Sequence, residues 1–509
     1  MKLRSFVIYL LFICYSLALN GQSIDTLSPC GTAPQKDAWL THYQLNKVDY
    51  AMDADSLLLV PLSIHLLGTD EGQGYYSTKR LMAAVCQLND DFAPSQIWFY
   101  IEGDIHYISK SEWNDHPDVI VGAQMMFANN IEGTINCYIV MNPARNCGYN
   151  LPYAGIALSK SCIGRGNHTW AHEMGHNLSL PHPFLGWEGH NYNYNDTTPR
   201  RLTYDYTLFK DSLILDTTII DTAWVETVER TNCDIAADGF CDTQPDYISR
   251  RWNCNQDGES TGKFKDFNEV DFKVDGSLFM SYSNDACQNR FSPDQMDAMR
   301  ATLMFKKPEL ITHPDLPDAL DLTYRLNYPI EDEVVAFDLT ELNWDEIEGA
   351  NKYYIEVSRS PRFSRIIYSG TTSSPFVEIN SLSKNKKYYW RIYAYGPYFY
   401  CSESSEVASF RTSDVSSTLN QIKGIRNVSL KWTDQGLLDI NINLKDPINL
   451  ALDLYNVSGQ LLYNKEFEQN STEFHESISV SSNWPAGSYV IILRSENGQN
   501  NPYFTVKYH

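Results

Sequence analysis

Positive charge is in short supply in this chain: 40 lysines and arginines stand against 63 aspartates and glutamates in 509 residues, a formal net charge of −23. A surface so acidic repels nucleic acid and anionic membranes, which excludes both as partners. Long apolar runs are scarce as well. Beyond residue 21 no stretch is long enough to cross a bilayer, so no transmembrane anchor is expected once the amino-terminal segment has gone. Histidine is also rare, with 12 residues in all, yet four of them crowd into residues 167–184, "NHTWAHEMGHNLSLPHPF".

The first residues, "MKLRSFVIYLLFICYSLALNGQS", combine Lys2 and Arg4 with an apolar run to Leu19 and a small residue at Gly21. That pattern is a secretory signal peptide over 1–21. Its removal takes the formal net charge from −23 to −25 and removes Cys14, one of eleven cysteines. The ten that remain suit an oxidising compartment, where disulfides persist. Cys86, Cys137, Cys147, Cys162, Cys233, Cys241, Cys254 and Cys287 form an even set in the middle region, and Cys30 and Cys401 lie outside it.

Length alone implies several domains. Residues 22–54 read as a leader with little periodicity. From 55 the chain offers "SLLLVPLSIHLL" as a strand, "TKRLMAAVCQLNDDF" as a helix, and "QIWFYIEG" and "TINCYIVMN" as further strands, an α+β layered arrangement running to about 312. Within it, the Tyr-, Asp- and Thr-rich stretch 186–230 reads as an insertion near the cleft, with "LTYDYTLF" and "TAWVETVE" as a hairpin. A proline-bearing boundary follows near 315, and 318–412 and 425–509 carry short alternating strands on either side of the Ser-rich linker "TSDVSSTLNQ".

His172 and His176 are four apart and so share one helix face, with Glu173 beside the first. In H-E-x-x-H the histidines bind zinc and the glutamate handles protons for water. His182 extends the pattern to H-E-x-x-H-x-x-S-x-x-H, giving three neutral nitrogen ligands and one open position, the layout of a catalytic zinc site. The alternative for such a pair is a surface or capping feature. His168, one turn earlier, reads as a neighbour near the helix start.

Downstream, "DGSLFMSYSNDACQNRFSPDQMDAM" places Met280 and Tyr282 in a tight turn before a last helix. With "VPLSIHLL", "LNDDFAPSQIWF", the zinc motif and "CDIAADGFCDTQPD" in this order, residues 55–310 resemble the metzincin clan, and within it the pappalysin family of metallopeptidases. The resemblance implies a metzincin-type α+β catalytic domain. It implies His172, His176 and His182 as zinc ligands, Glu173 as general base and acid, Met280 as the base of the Met-turn, and Tyr282 as a residue able to approach the metal or the transition-state oxygen. The substrate class is proteins or peptides. One position departs from the clan: Ser179 stands where glycine is usual, and a left-handed conformation there costs serine about 1 kcal/mol.

Further implications follow residue by residue. Asp238 and the Thr243 carbonyl, with Asp242 close by, resemble calcium-binding positions; a solvated turn braced by disulfides is the equal alternative. The resemblance favours a Cys254–Cys287 disulfide and leaves Cys233–Cys241 open. Cys30, in "SPCGTAP", is a thiol that could fill the open zinc position and keep the enzyme latent, or else a disulfide partner for Cys401. Residues 318–412, with Trp344, Tyr354 and Leu382, look like a fibronectin type III domain whose aromatics form the core. Residues 425–509, with "LYNVSGQLL" and "PAGSYVIIL", look like the sorting domain of the type IX secretion system. The expected architecture is therefore a metzincin-type domain and two all-β sandwich-like domains. The competing reading is an adhesin with a silent peptidase domain.

Overall fold

The computed structural model describes residues 27–50, 56–210, 213–313, 320–380, 382–413, 425–433, 437–444, 449–456, 460–467, 472–479, 487–495 and 503–508. The signal peptide over 1–21, the ends of the leader and the linker 414–424 lie outside these residues. The chain divides into two compact units, Met1–Pro317 with Pro397–Cys401, and Asp318–Gly396 with Ser402–His509.

The first unit is built on a mixed sheet. Its long strand β1 (Leu58–Gly68) is buried at every position, as a strand covered on both faces must be, and for the same reason it reads as a continuous apolar run. Helix α1 (Ala38–Leu45) precedes it in the leader. After β1 come α2 (Thr78–Phe92), β2 (Ile97–Ile101), β3 (His106–Ser109), α3 (Val119–Asn129), β4 (Ile135–Val140), β5 (Gly148–Leu151) and β6 (Gly155–Ser159). The sheet order is β2-β1-β4-β6-β5, with β3 pairing the far end of β1 on the β2 side. All these pairs are parallel except β5 with β6, so β5 is an antiparallel edge strand.

Helix α4 (Thr169–Asn177) contacts β5 and β6, and α5 (Pro293–Ala301) starts with a capping box, in which Ser292 and Gln295 bond each other's backbone amides. The insertion does carry a hairpin, β7 (Arg201–Lys210) with β8 (Leu213–Trp224), but its second strand precedes the expected "TAWVETVE": that stretch keeps only residues 222–224 in the strand, because β8 follows β7 directly. Leu202 at its base joins Phe184, Trp187, Tyr247, Tyr282 and Cys30 in one apolar cluster.

Four disulfides hold this unit. Cys254–Cys287 pairs as anticipated, Cys233–Cys241, a pairing the sequence leaves open, forms too, and Cys147–Cys162 closes over the β5–β6 hairpin. Two expectations need correction. Cys401 pairs with Cys86, not Cys30, and the eight middle cysteines are not a closed set, because Cys137 stays free in the core. The segment bearing Cys401 belongs to the first unit, where the Trp98 indole also donates to Tyr398 O at 2.9 Å.

The second unit is all-β among its described residues, with two cores. One lies between a three-stranded and a five-stranded sheet and gathers Trp344, Tyr353, Leu382 and Trp390. Tyr354, expected there, is buried instead beside Tyr393, because neighbouring strand residues face opposite ways. The other lies between sheets of three and four strands. Its strand Leu437–Leu444 alternates half-buried and buried side chains at every step.

Candidate metal centre

The three histidines converge. Their Nε2 atoms lie 3.0 Å (His176 to His182), 3.1 Å (His176 to His172) and 3.3 Å (His182 to His172) apart. Each ring is aimed by its other nitrogen: His172 Nδ1 donates to Phe279 O and His176 Nδ1 to Leu180 O, both at 2.8 Å, while His182 Nδ1 meets Glu188 Oε1 at 3.2 Å. With protons on Nδ1, three lone pairs face one point, an arrangement that a cation between them would satisfy. Burial favours the neutral form, pushing His172 and His182 down to about 3 and His176 well below its ordinary value. The donor set therefore fits a metal ion that accepts imidazole, such as zinc. His168, in contrast, sits at the start of α4 with Nδ1 on Asp91 Oδ2 at 2.9 Å.

The delivery of His182 depends on how α4 ends. The Ser179 amide donates to His176 O at 3.0 Å and the Leu180 amide to Gly175 O at 2.9 Å, a Schellman turn with Ser179 left-handed at φ 75°. That turn brings Leu180 O back to His176 and sends His182 to the other two rings. Met280, fully buried, lies under α4: a Cβ on Gly175 would come within 2.5 Å of its sulfur. Tyr282 packs its ring 4.9 Å from that of His182.

Glu173 is fully buried, and burial pushes its carboxyl up to about 8. The glycine of the edge strand makes room for it, since a Cβ on Gly148 would meet Glu173 Cγ at 2.8 Å.

The leader occupies this cleft. It runs parallel to the edge strand's approach, with Ser28 N on Arg145 O (3.0 Å), Cys147 N on Ser28 O (2.7 Å) and Gly31 N on Gly148 O (2.9 Å). Cys30 Sγ lies 3.6 Å from His176 Nε2 and forms, with the three histidines, a four-residue cluster of metal-ligating type. Thr32 donates its hydroxyl to Glu173 Oε2 at 2.7 Å and accepts Asn150 N at 2.8 Å.

The acidic loop is brought together only in part. The Thr243 hydroxyl reaches the Asp238 carboxylate at 3.3 and 3.4 Å, and burial pushes Asp238 up to about 7. Asp242 turns away to the start of α5, where it accepts from Ser292 Oγ and Asp294 N, both at 2.8 Å. The sequence reading missed Thr32, Glu188 and the buried Glu226, whose charge acts with that of Asp238. Thr32 had a signal in its place two residues after Cys30; the others had none.

Comparison with known proteins bears on both ends of the chain. Residues 436–507 match the secretion system C-terminal sorting domain family. The protein is exported, secreted or held at the cell surface. An alignment of 233 positions, taking in 39% of this chain and 79% of the relative, shows 25% identity to an extracellular metalloprotease of Neurospora crassa. Solved structures similar to part of the chain include the FN1–FN3 domains of chicken CNTN1, at 10% identity, 36% of this chain, 66% of that one and a TM-score of 0.15. Fibronectin(III)-like modules of Clostridium thermocellum CbhA also match, at 13% identity, 36% of this chain, 92% of that one and a TM-score of 0.16.

Proposed function

We propose that the protein is a secreted zinc endopeptidase of the pappalysin-like metzincin type, made latent by its own leader. The observation that carries this reading is the convergence of three neutral imidazole nitrogens beside a buried glutamate on one helix. His172, His176 and His182 hold the zinc, which supplies Lewis acidity to polarise a peptide carbonyl and activate water. Glu173 takes a proton and returns it to the leaving amine, a role suited to a carboxyl pushed up to about 8. Tyr282, whose ring packs against that of His182, is the residue whose hydroxyl steadies developing negative charge in this reading.

Cys30 and Thr32 together account for latency. The thiol lies where it can ligate the metal, and the Thr32 hydroxyl engages the proton-handling carboxylate. Calcium is assigned to Asp238 and Thr243, with Glu226 nearby and Asp242 committed to helix α5. The type IX secretion machinery is the partner of the carboxy-terminal domain.

Cleavage of the leader followed by a casein digest tests this. Hydrolysis that a chelator abolishes and zinc restores is expected; no hydrolysis by zinc-loaded, leader-free protein would instead favour a binding protein with a silent site.

A further inference from the structure

The leader is gripped a second time, seven residues beyond Cys30. Ser179 Oγ donates to Asp37 Oδ2 at 3.1 Å, the Lys306 ammonium bonds the same oxygen, and Lys306 also donates to Ser179 Oγ at 3.2 Å. The other carboxylate oxygen of Asp37 accepts Trp39 N at 3.0 Å and caps α1. The receiving side is well defined. Ser179 is 7% exposed, and its left-handed backbone is fixed by the turn that delivers His182. Lys307 bonds the end of α4, on Asn177 O at 2.8 Å, and feels the charges of both Asp37 and Glu309, but makes no ion pair with Asp37. Lys306 is left facing the cleft, with Asp37 as its one ion-pair partner among the described residues. A cavity of about 610 Å³ adjoins the cluster, lined in part by Thr32, His176, Ser179, Lys306 and Lys307.

We infer that Ser179 and Lys306 form a carboxylate-binding subsite of the cleft, filled by Asp37 while the leader is docked and by an aspartate or glutamate side chain of a peptide substrate once it has left. The leader half stands on the geometry alone; the substrate half rests on the peptidase reading. The subsite also gives a reason for serine where glycine would turn the helix without strain: glycine has no hydroxyl to share between a lysine and a carboxylate.

The test uses the chain without residues 1–21 and the two thiols that are free among the described residues, Cys30 and Cys137. Alkylation of Cys30 by iodoacetamide reports undocking of the leader, and Cys137, fully buried in the core, reports loosening of the fold. Asp37→Asn, Ser179→Gly and Lys306→Gln should each speed Cys30 alkylation about tenfold, the scale of one lost charge-assisted hydrogen bond. The Asp37→Asn/Lys306→Gln pair should add little to either single change, and Cys137 should stay slow throughout. An unchanged Cys30 rate in Asp37→Asn overturns the subsite, and so does a rise shared by Cys137. After leader removal, a peptide library should show enrichment of acidic side chains at one position, lost in Lys306→Gln. A profile indifferent to acidic residues overturns the substrate half. Cleavage of no peptide at all overturns the peptidase reading and the substrate half with it, while the alkylation result still decides the leader half.

Discussion

Gly175 shows how closely the site is built at the scale of single residues, because the Met280 sulfur fills the space its side chain would take. Gly175→Ala should cost about 1–3 kcal/mol of stability, measured by urea denaturation, and should loosen metal retention by displacing α4 from the turn below it. Glu188 acts through His182. Glu188→Gln should keep the fold and weaken zinc binding about 10- to 100-fold, read by competition with a chromophoric chelator. Asp246 carries a pH dependence. It is 2% exposed, and burial pushes its carboxyl up to about 7 while it accepts from Ser281 Oγ at 2.7 Å and Ile248 N at 2.8 Å. An unfolded aspartate titrates near about 3.9, so the fold binds this proton more tightly than the unfolded chain does. The contribution is therefore greatest below about pH 4 and declines as pH rises to about 7. Asp246→Asn, which mimics the protonated group, should flatten that decline, worth up to a few kcal/mol, in melts at pH 4 and pH 7. None of these three roles is visible in the sequence: Gly175 and Asp246 depend on Met280 and Ser281 from elsewhere in the chain, and Glu188, six residues from His182, meets it through turns that carry no periodic pattern. His172, Glu173 and His176 were legible because one helix turn sets their spacing, whereas His182 lies beyond the helix end and is delivered by the turn at Ser179.

At the scale of elements, legibility followed the strength of the local pattern. Helix α2 occupies the very residues its periodicity indicates, and β1 reads as an unbroken apolar run. Helix α1 was missed: it is eight residues long, and its cap at Asp37 gains meaning only through Ser179 and Lys306. Strands β5 and β6 are short, and their role as the cleft's edge becomes apparent only when the leader lies along it. Cys147–Cys162 holds that hairpin across 15 residues of separation. Replacing both cysteines by alanine should lower stability by about 3 kcal/mol on chain-entropy grounds, measured by denaturant unfolding, and should make leader docking less selective because the edge strand loses its brace.

At the scale of the whole molecule, the two ends have separate tasks. The sorting domain match covers 436–507, while the histidines, the glutamate and the leader all lie in the first unit. Deleting 436–507 should leave the protein in the cell fraction with its metal centre intact, as seen by fractionation and metal analysis of the retained chain. The division into an α+β unit and all-β modules was legible from composition and strand patterning; the transfer of 397–401 to the first unit was not, since a disulfide across 315 residues leaves no local trace. The central claim is that Glu173 performs the proton transfers at a zinc centre it does not help to hold. Zinc content and casein hydrolysis measured side by side on leader-free protein and its Glu173→Ala variant test it most directly. The account predicts one zinc per chain in both and hydrolysis in the parent alone; hydrolysis by the variant at the parent's rate, or loss of zinc from the variant, would contradict it.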